Sequence, residues 1–312
     1  MPRMTLHCRS ITTFAKDGGI DEDAFRQFLQ RFVDTNLGVY LDACGPCEGF
    51  TLTRDEISLT YKIGAEVCKG KVFIGGNGAE QHTAEETLAV ARLGQEAGMD
   101  AVNIYGPAGW HGFRPSDAEY LHFFDRILSE FKYPTAIAPN PILGYTPSPV
   151  VMAQICNKYS QVVAVNFAGI TDHTYFINFM DALTRDVETY VIHPGSFNLF
   201  ALGATGMLGV EANVIPKTFR RYLDCYEDGN LAEATKVYAD LTRFTQLVKG
   251  NPAWGQRWIK VAMKIFKLPG AEGGLREPYL MPSDSVIEEF ARQALALNIP
   301  EINELGRAAG LL

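Results

Sequence analysis

Residues 206–216 read GMLGVEANVIP, and this stretch completes a count. Its first half is a short apolar run that is continuous rather than alternating, the pattern of a strand covered on both faces. Seven runs of the same kind precede it: TLHCRSI near residue 5, LGVYLDA around 38, KVFIGG from 71, DAVNIYG from 100, PTAIAPN from 134, VVAVNFA from 162 and ETYVIHP from 188. Between them lie segments of helical period. From Asp21 onward, Phe25, Phe28, Leu29, Phe32 and Val33 share one face. Capping boxes, in which a hydroxyl and a glutamate three residues later satisfy free backbone N–H groups, are expected at Thr53/Glu56, Thr83/Glu86 and Ser116/Glu119. Ser148-Pro149 adds a cap followed by proline at the first helical position.

Eight strand–helix units in about 225 residues predict an α/β fold, a closed parallel (β/α)8 TIM barrel. An open dinucleotide-binding sheet fits less well, because no G-x-G-x-x-G follows the first strand. Gly75-Gly76-Asn77-Gly78 lacks both the spacing and the lysine of a phosphate loop. After Pro216 the alternation stops. LAEATKVYADLTRFTQLV, WGQRWIKVAMKIFKL and DSVIEEFARQALAL carry apolar residues three and four apart, with breaks at Gly250-Asn251-Pro252 and in LPGAEGGLREPYLM. Residues 1–216 are therefore expected to form the barrel core, and 217–312 the last barrel helix and a C-terminal helical appendix in the same unit.

The chain has 312 residues, of which 47% are hydrophobic and 21% charged, enough for a large core. A net charge of −8 and scattered basic residues argue against nucleic acid as a partner. No apolar stretch has the length of a signal core or a membrane span, so no membrane association is expected. Six cysteines in a chain this long do not make a disulfide scaffold, and a reducing cytoplasm is the expected location.

In a barrel, chemistry sits at the C-terminal strand ends, on the loops that lead into helices. The stretch DACGPCEGF, residues 42–50, falls on such a loop, before the helix that Thr53 caps. Its two thiols admit a redox pair, half a zinc site or a substrate loop. A redox pair wants a thiol at a helix N-terminus, but the helix opens six residues beyond Cys47. A structural zinc site wants a second C-x2-C or H-x3-H pair, and the sequence has none. Cys44, Gly45 and Cys47 are thus expected to line a substrate loop, the thiols acting either as small fillers or as nucleophile or metal ligand.

By register, Asp42, Cys44, Cys47, Glu48, Asn103, Tyr105, Asn140, Asn166, His193 and Glu211 gather at the same end. His193, Glu211, Glu48 and Tyr105 are the candidate acid–base groups; Glu48 alternatively ties its loop to backbone donors, and His193 is alternatively a hydrogen-bonded core histidine. Asn166 and Asn140 read as paired amides for a carbonyl or hydroxyl, with Asn103, Trp110 and Leu208 also in contact with substrate. Trp110 belongs to YGPAGWHGF, an aromatic rim or a loop packed on its neighbour. No cofactor is assigned with certainty; a divalent metal, if one is held, has Asp42, His193 and Glu211 as its candidate ligands.

Several stretches together resemble the dihydrodipicolinate synthase / N-acetylneuraminate lyase family of class I aldolase-type barrels. They are ITTFAKDGGID at 11–21, CGPCEGFTLTRDE at 44–56, FIGGNGAEQHTAEE at 73–86, YPTAIAPNP at 133–141, ALGATGMLGVEANVIP at 201–216 and RWIKVAMKIFKLPGAEGGLREP. The resemblance implies a lyase acting on a small oxo or hydroxy acid, and a homotetramer built as a dimer of dimers. It also implies a strand-six lysine that forms a Schiff base with a 2-oxo acid. In this chain the lysine position is Asn166, and an amide nitrogen, delocalised into its carbonyl, cannot condense with a ketone. The family's strand-five tyrosine falls on Ala138, its paired loop threonines on Gly45 and Pro46, and its partner aromatic near Gly109, while its arginine has no counterpart in PILGY. Neither Lys71 nor Lys217 is placed to compensate. An imine-free lyase or hydratase is the expected activity; a non-catalytic metabolite-binding homologue and an aldolase with its lysine elsewhere are the alternatives.

Overall fold

A computed structural model describes residues 4–42, 45, 48–77, 80–109, 111–193, 195–250 and 257–312. Eight parallel strands close into a barrel in sequence order: β1 (Thr5–Arg9), β2 (Gly38–Leu41), β3 (Ile74–Gly76), β4 (Ala101–Tyr105), β5 (Thr135–Ala138), β6 (Val162–Phe167), β7 (Glu188–Ile192) and β8 (Gly206–Leu208). The closing pair is β1 with β8, where Leu6 stands opposite Met207 and His7 opposite Leu208.

Each strand splits its residues between two cores. Leu6, Cys8, Val39, Leu41, Ile74, Val102, Ile104, Val165, Phe167, Val191 and Met207 face the surrounding helices. Tyr40, Ala136, Ala164, Tyr190 and Leu208 pack on each other inside the barrel. The inner set is smaller and more polar than a continuous apolar strand implies, since His7, Asn103 and Asn166 also take inner positions.

The barrel's helices are α1 (Glu22–Asp34), α2 (Arg54–Cys68), α3 (Ala84–Glu96), α4 (Asp117–Leu128), α5 (Pro149–Lys158), α6 (His173–Ala182), α7 (Ser196–Ala201) and α8 (Pro216–Glu227). On α1 the residues Phe25, Phe28, Leu29 and Phe32 are buried, as their spacing requires. Reciprocal capping boxes form at Thr53/Glu56 and Ser116/Glu119. At Thr83 only the forward half forms: its hydroxyl accepts from Glu86 N at 3.2 Å.

The C-terminal region holds α9 (Leu231–Lys249), α10 (Trp258–Phe266), α11 (Asp284–Ala296) and α12 (Pro300–Ala309). Periodicity had not marked α12, a ten-residue helix whose one early signal is Pro300 at its first position. Among the described residues no helix is long and apolar enough to cross a membrane.

Candidate functional site

Strand alternation carries a polar set into the barrel. On β1, Leu6 and Cys8 belong to the outer core, which leaves Thr5, His7 and Arg9 pointing inward. The Arg9 guanidinium reaches across to β4, with its carbon 5.9 Å from the centre of the Tyr105 ring. Tyr105 Oη accepts from Asn77 Nδ2 at 2.9 Å. On β6, Asn166 Nδ2 donates to Asn103 Oδ1 at 2.7 Å. Tyr40 lies beside Asn166 and within reach of the Arg9 charge, although its hydroxyl makes no bond of good geometry. Burial pushes its phenol well up, and Tyr190 adds to this.

Below this layer the His7 ring is boxed by Phe73 at 4.5 Å, Tyr190 at 4.6 Å and Tyr40 at 5.6 Å. Desolvation lowers its pKa to about 3, so it is a neutral imidazole at physiological pH. Leu208 packs in the same inner layer and forms part of the floor.

The structure brings Tyr105, Asn103 and Asn166 together in the mouth but distributes the other candidates elsewhere. Asn140 is not paired with Asn166. Its side chain caps a 3-10 turn, accepting from Ile142 N at 3.2 Å and donating to Glu80 at 3.2 Å. Glu211 is not on strand eight, which ends at Leu208; it sits on the 3-10 turn Val210–Asn213 and accepts from Thr245 of α9 at 2.9 Å. Burial raises its pKa. His193, one residue beyond β7, packs edge-on against Tyr238 at 4.8 Å, with Nε2 3.3 Å from Thr242 Oγ1. It therefore faces α9, and burial, with Lys249 adding to it, lowers its pKa to about 3.

Asp42 has φ 61°, so strand alternation stops at it, and its carboxylate accepts from Thr60 of α2 at 2.6 Å. Burial pushes its pKa up to about 7. Asp42, His193 and Glu211 are thus held by three different partners. Among the described residues no three His, Cys, Asp or Glu side chains converge as a metal site would require. Cys44, Cys47 and Trp110 lie outside the described residues; Gly45 is half-buried at the start of their loop.

Glu48 takes the tying role. Its carboxylate accepts from Arg276 N at 3.2 Å and pairs with Lys260 Nζ at 3.4 Å. Lys260 is buried, donates to Thr12 O at 2.5 Å and to Gly274 O at 3.0 Å, and lies 4.8 Å from the Phe14 ring centre. Arg276 fastens the same loop, donating to Thr51 O at 2.9 Å and Gly18 O at 3.0 Å and pairing with Glu56. The Arg276 guanidinium holds the Glu56 carboxyl down to about 2. The loop after β2 is thereby fixed to the C-terminal segment by two cations.

Sequence reasoning missed Arg9, His7, Tyr40 and Asn77 as parts of the mouth. For the first two a signal existed, since Thr5, His7 and Arg9 alternate with the apolar Leu6 and Cys8 in TLHCRSI.

Comparison with known proteins agrees with the barrel fold. The chain is 25% identical over 291 residues to a 4-hydroxy-tetrahydrodipicolinate synthase of Chlorobium phaeovibrioides, covering 91% of this chain and 92% of that one. A dihydrodipicolinate synthase family protein from Coccidioides immitis superposes with TM-score 0.84 at 20% identity, over 100% of this chain and 98% of that one. A prophage protein of the same family from E. coli K12, solved in complex with pyruvate, superposes with TM-score 0.84 at 16% identity, over 96% and 99% of the two chains. The sequence profile of the Dihydrodipicolinate synthetase family matches residues 5–296, and the chain belongs to that family.

Proposed function

We propose that this chain is a lyase of the aldolase or dehydratase type, acting on a small oxo or hydroxy acid without a lysine imine. Family membership supports aldolase-type lyase chemistry as the reaction class. A pyruvate complex of one structural relative supports a small 2-oxo acid as the kind of ligand. The observation that supports the imine-free part is the Asn166–Asn103 bond: the resemblance aligns the family's lysine with Asn166, and this amide is paired with a second amide. Lys260, the buried lysine among the described residues, is committed to two carbonyls and Glu48.

In this mechanism the substrate oxygen is held by the side-chain amides of Asn103 and Asn166, which bind without reacting. Tyr105, oriented by Asn77, exchanges the proton with the reacting carbon or leaving oxygen. His193, Glu211 and Glu48, each held by a structural partner, position loops and helices instead. Self-association into a homotetramer and a cytoplasmic location are part of the proposal.

Sodium borohydride with pyruvate tests the imine-free part: intact mass is expected to stay unchanged, and a reduced lysine adduct overturns it. The commitment of His193, Glu211 and Glu48 also favours a second reading, a barrel that binds a metabolite without turnover. Saturable thermal stabilisation by a 2-oxo acid, with no product from a panel of 2-oxo and 3-deoxy-2-oxo acids, would decide for that reading.

A further inference from the structure

Among the described residues the Arg9 charge has no counterion. Its Nε and Nη2 are buried without a hydrogen-bond partner, and no ion pair among the described residues reaches it. The carboxylates that lie nearest the loop after β2 are already held, Asp42 by Thr60, and Glu48 by Lys260 and Arg276. Arg9 is half-buried, and leaving two buried guanidinium nitrogens unpaired is costly, a cost normally offset by a partner bearing the opposite charge. Other polar atoms of the same layer are also unused: Tyr40 Oη, Asn103 Nδ2, Asn166 Oδ1 and Asn77 Oδ1. They form one connected set. Arg9 stands against Tyr105, which is bonded to Asn77, and its charge reaches Tyr40, which lies beside the Asn166–Asn103 pair.

We propose that Arg9 anchors one carboxylate of the ligand inside the barrel mouth, and that the amides of Asn103 and Asn166 take its oxo or hydroxyl oxygen. A planar guanidinium with two free N–H directions matches a carboxylate in fork geometry. One positive charge among neutral amides and phenols balances a monoanion, which favours a carboxylate over a phosphate dianion. Where the resemblance aligns the family's paired loop threonines, this sequence has Gly45 and Pro46, which offer no side-chain hydroxyl. This inference deepens the proposed function by naming the substrate's anchoring group. It does not depend on how turnover is achieved, because its test reads binding alone.

The full-length chain, in an amine buffer free of carboxylate and phosphate, is titrated with pyruvate and separately with inorganic phosphate by calorimetry and thermal melting. Pyruvate should bind and raise the melting temperature, with phosphate weaker. Arg9→Gln should weaken pyruvate binding by about tenfold or more, and Arg9→Lys should retain part of it. Without ligand, Arg9→Gln should melt no lower than the parent, because it removes an unpaired, half-buried charge. Tighter binding of phosphate than pyruvate, pyruvate affinity unchanged in Arg9→Gln, no binding of either anion, or a ligand-free Arg9→Gln that melts well below the parent would each overturn the proposal. A borohydride adduct would sink the imine-free mechanism and leave this anchor standing.

Discussion

Asn166 Nδ2 donates to Asn103 Oδ1 across 2.7 Å inside the barrel, joining β6 to β4 over the top of β5. Ala136 of β5 lies in register with Asn103 and is too small to come between them. Both amides are fully buried, so each is the other's protection against an unsatisfied polar group. Replacing either by leucine strands its partner and should lower unfolding stability by about 1–3 kcal/mol. The double replacement should cost less than the sum of the singles. Urea unfolding of the four proteins in the cycle measures this, and additive losses would show that the two amides do not interact.

Asp42 gives the protein a pH signature. Its carboxyl titrates at 3.8 in an exposed chain and is pushed up to about 7 when folded, chiefly by burial. Because the folded form binds this proton more tightly, the associated stability is fully present below the lower value and is lost as pH rises through the upper one. Asp42→Asn cannot ionise and keeps an acceptor for Thr60. Its stability should match the parent near pH 4 and exceed it by about 2–4 kcal/mol at pH 8. Melting temperatures of both proteins across that range test the sign.

His7 and His193 act at the opposite end of the scale. Both are held neutral by burial, with pKa lowered to about 3, while an exposed histidine titrates at 6.5. The unfolded chain therefore takes up protons first as pH falls below 6.5, and stability should decline from there toward the folded value. His193→Gln should flatten this decline when melting is followed between pH 7 and 4.

Lys260 and Glu48 form a buried ion pair between α10 and the loop after β2. Removing one charge leaves the other buried and alone. Lys260→Met should cost about 3–5 kcal/mol, and adding Glu48→Met should recover most of it. Equal loss in the single and the double variant would mean that the carbonyl contacts of Lys260, not the pair, hold the loop.

Under the proposed mechanism, turnover should separate the mouth from its surroundings. Tyr105→Phe should reduce kcat by about a hundredfold or more, as for loss of a general acid or base. Glu211→Gln, with its contact to Thr245 beneath α9, should stay within about threefold of the parent. The two effects in reverse order would return the acid–base role to Glu211.

The barrel was legible in the sequence because burial on two faces imposes continuous apolar runs, and eight of them leave one closed arrangement. β1 to β8 all fall within the runs read from residue 5 to residue 212. That Asn166 lies on a barrel strand could also be read there, since it depends only on the apolar run around it. Which polar residues meet could not. Strand ends gather at one rim, but a side chain's direction depends on where alternation breaks: φ 61° at Asp42, the 3-10 turn that carries Glu211, and the end of β7 just before His193 each turn a candidate toward a helix. Arg9, three strands from Tyr105 in the sheet, meets it only because the barrel closes, and that closure brings charge and phenol across the lumen.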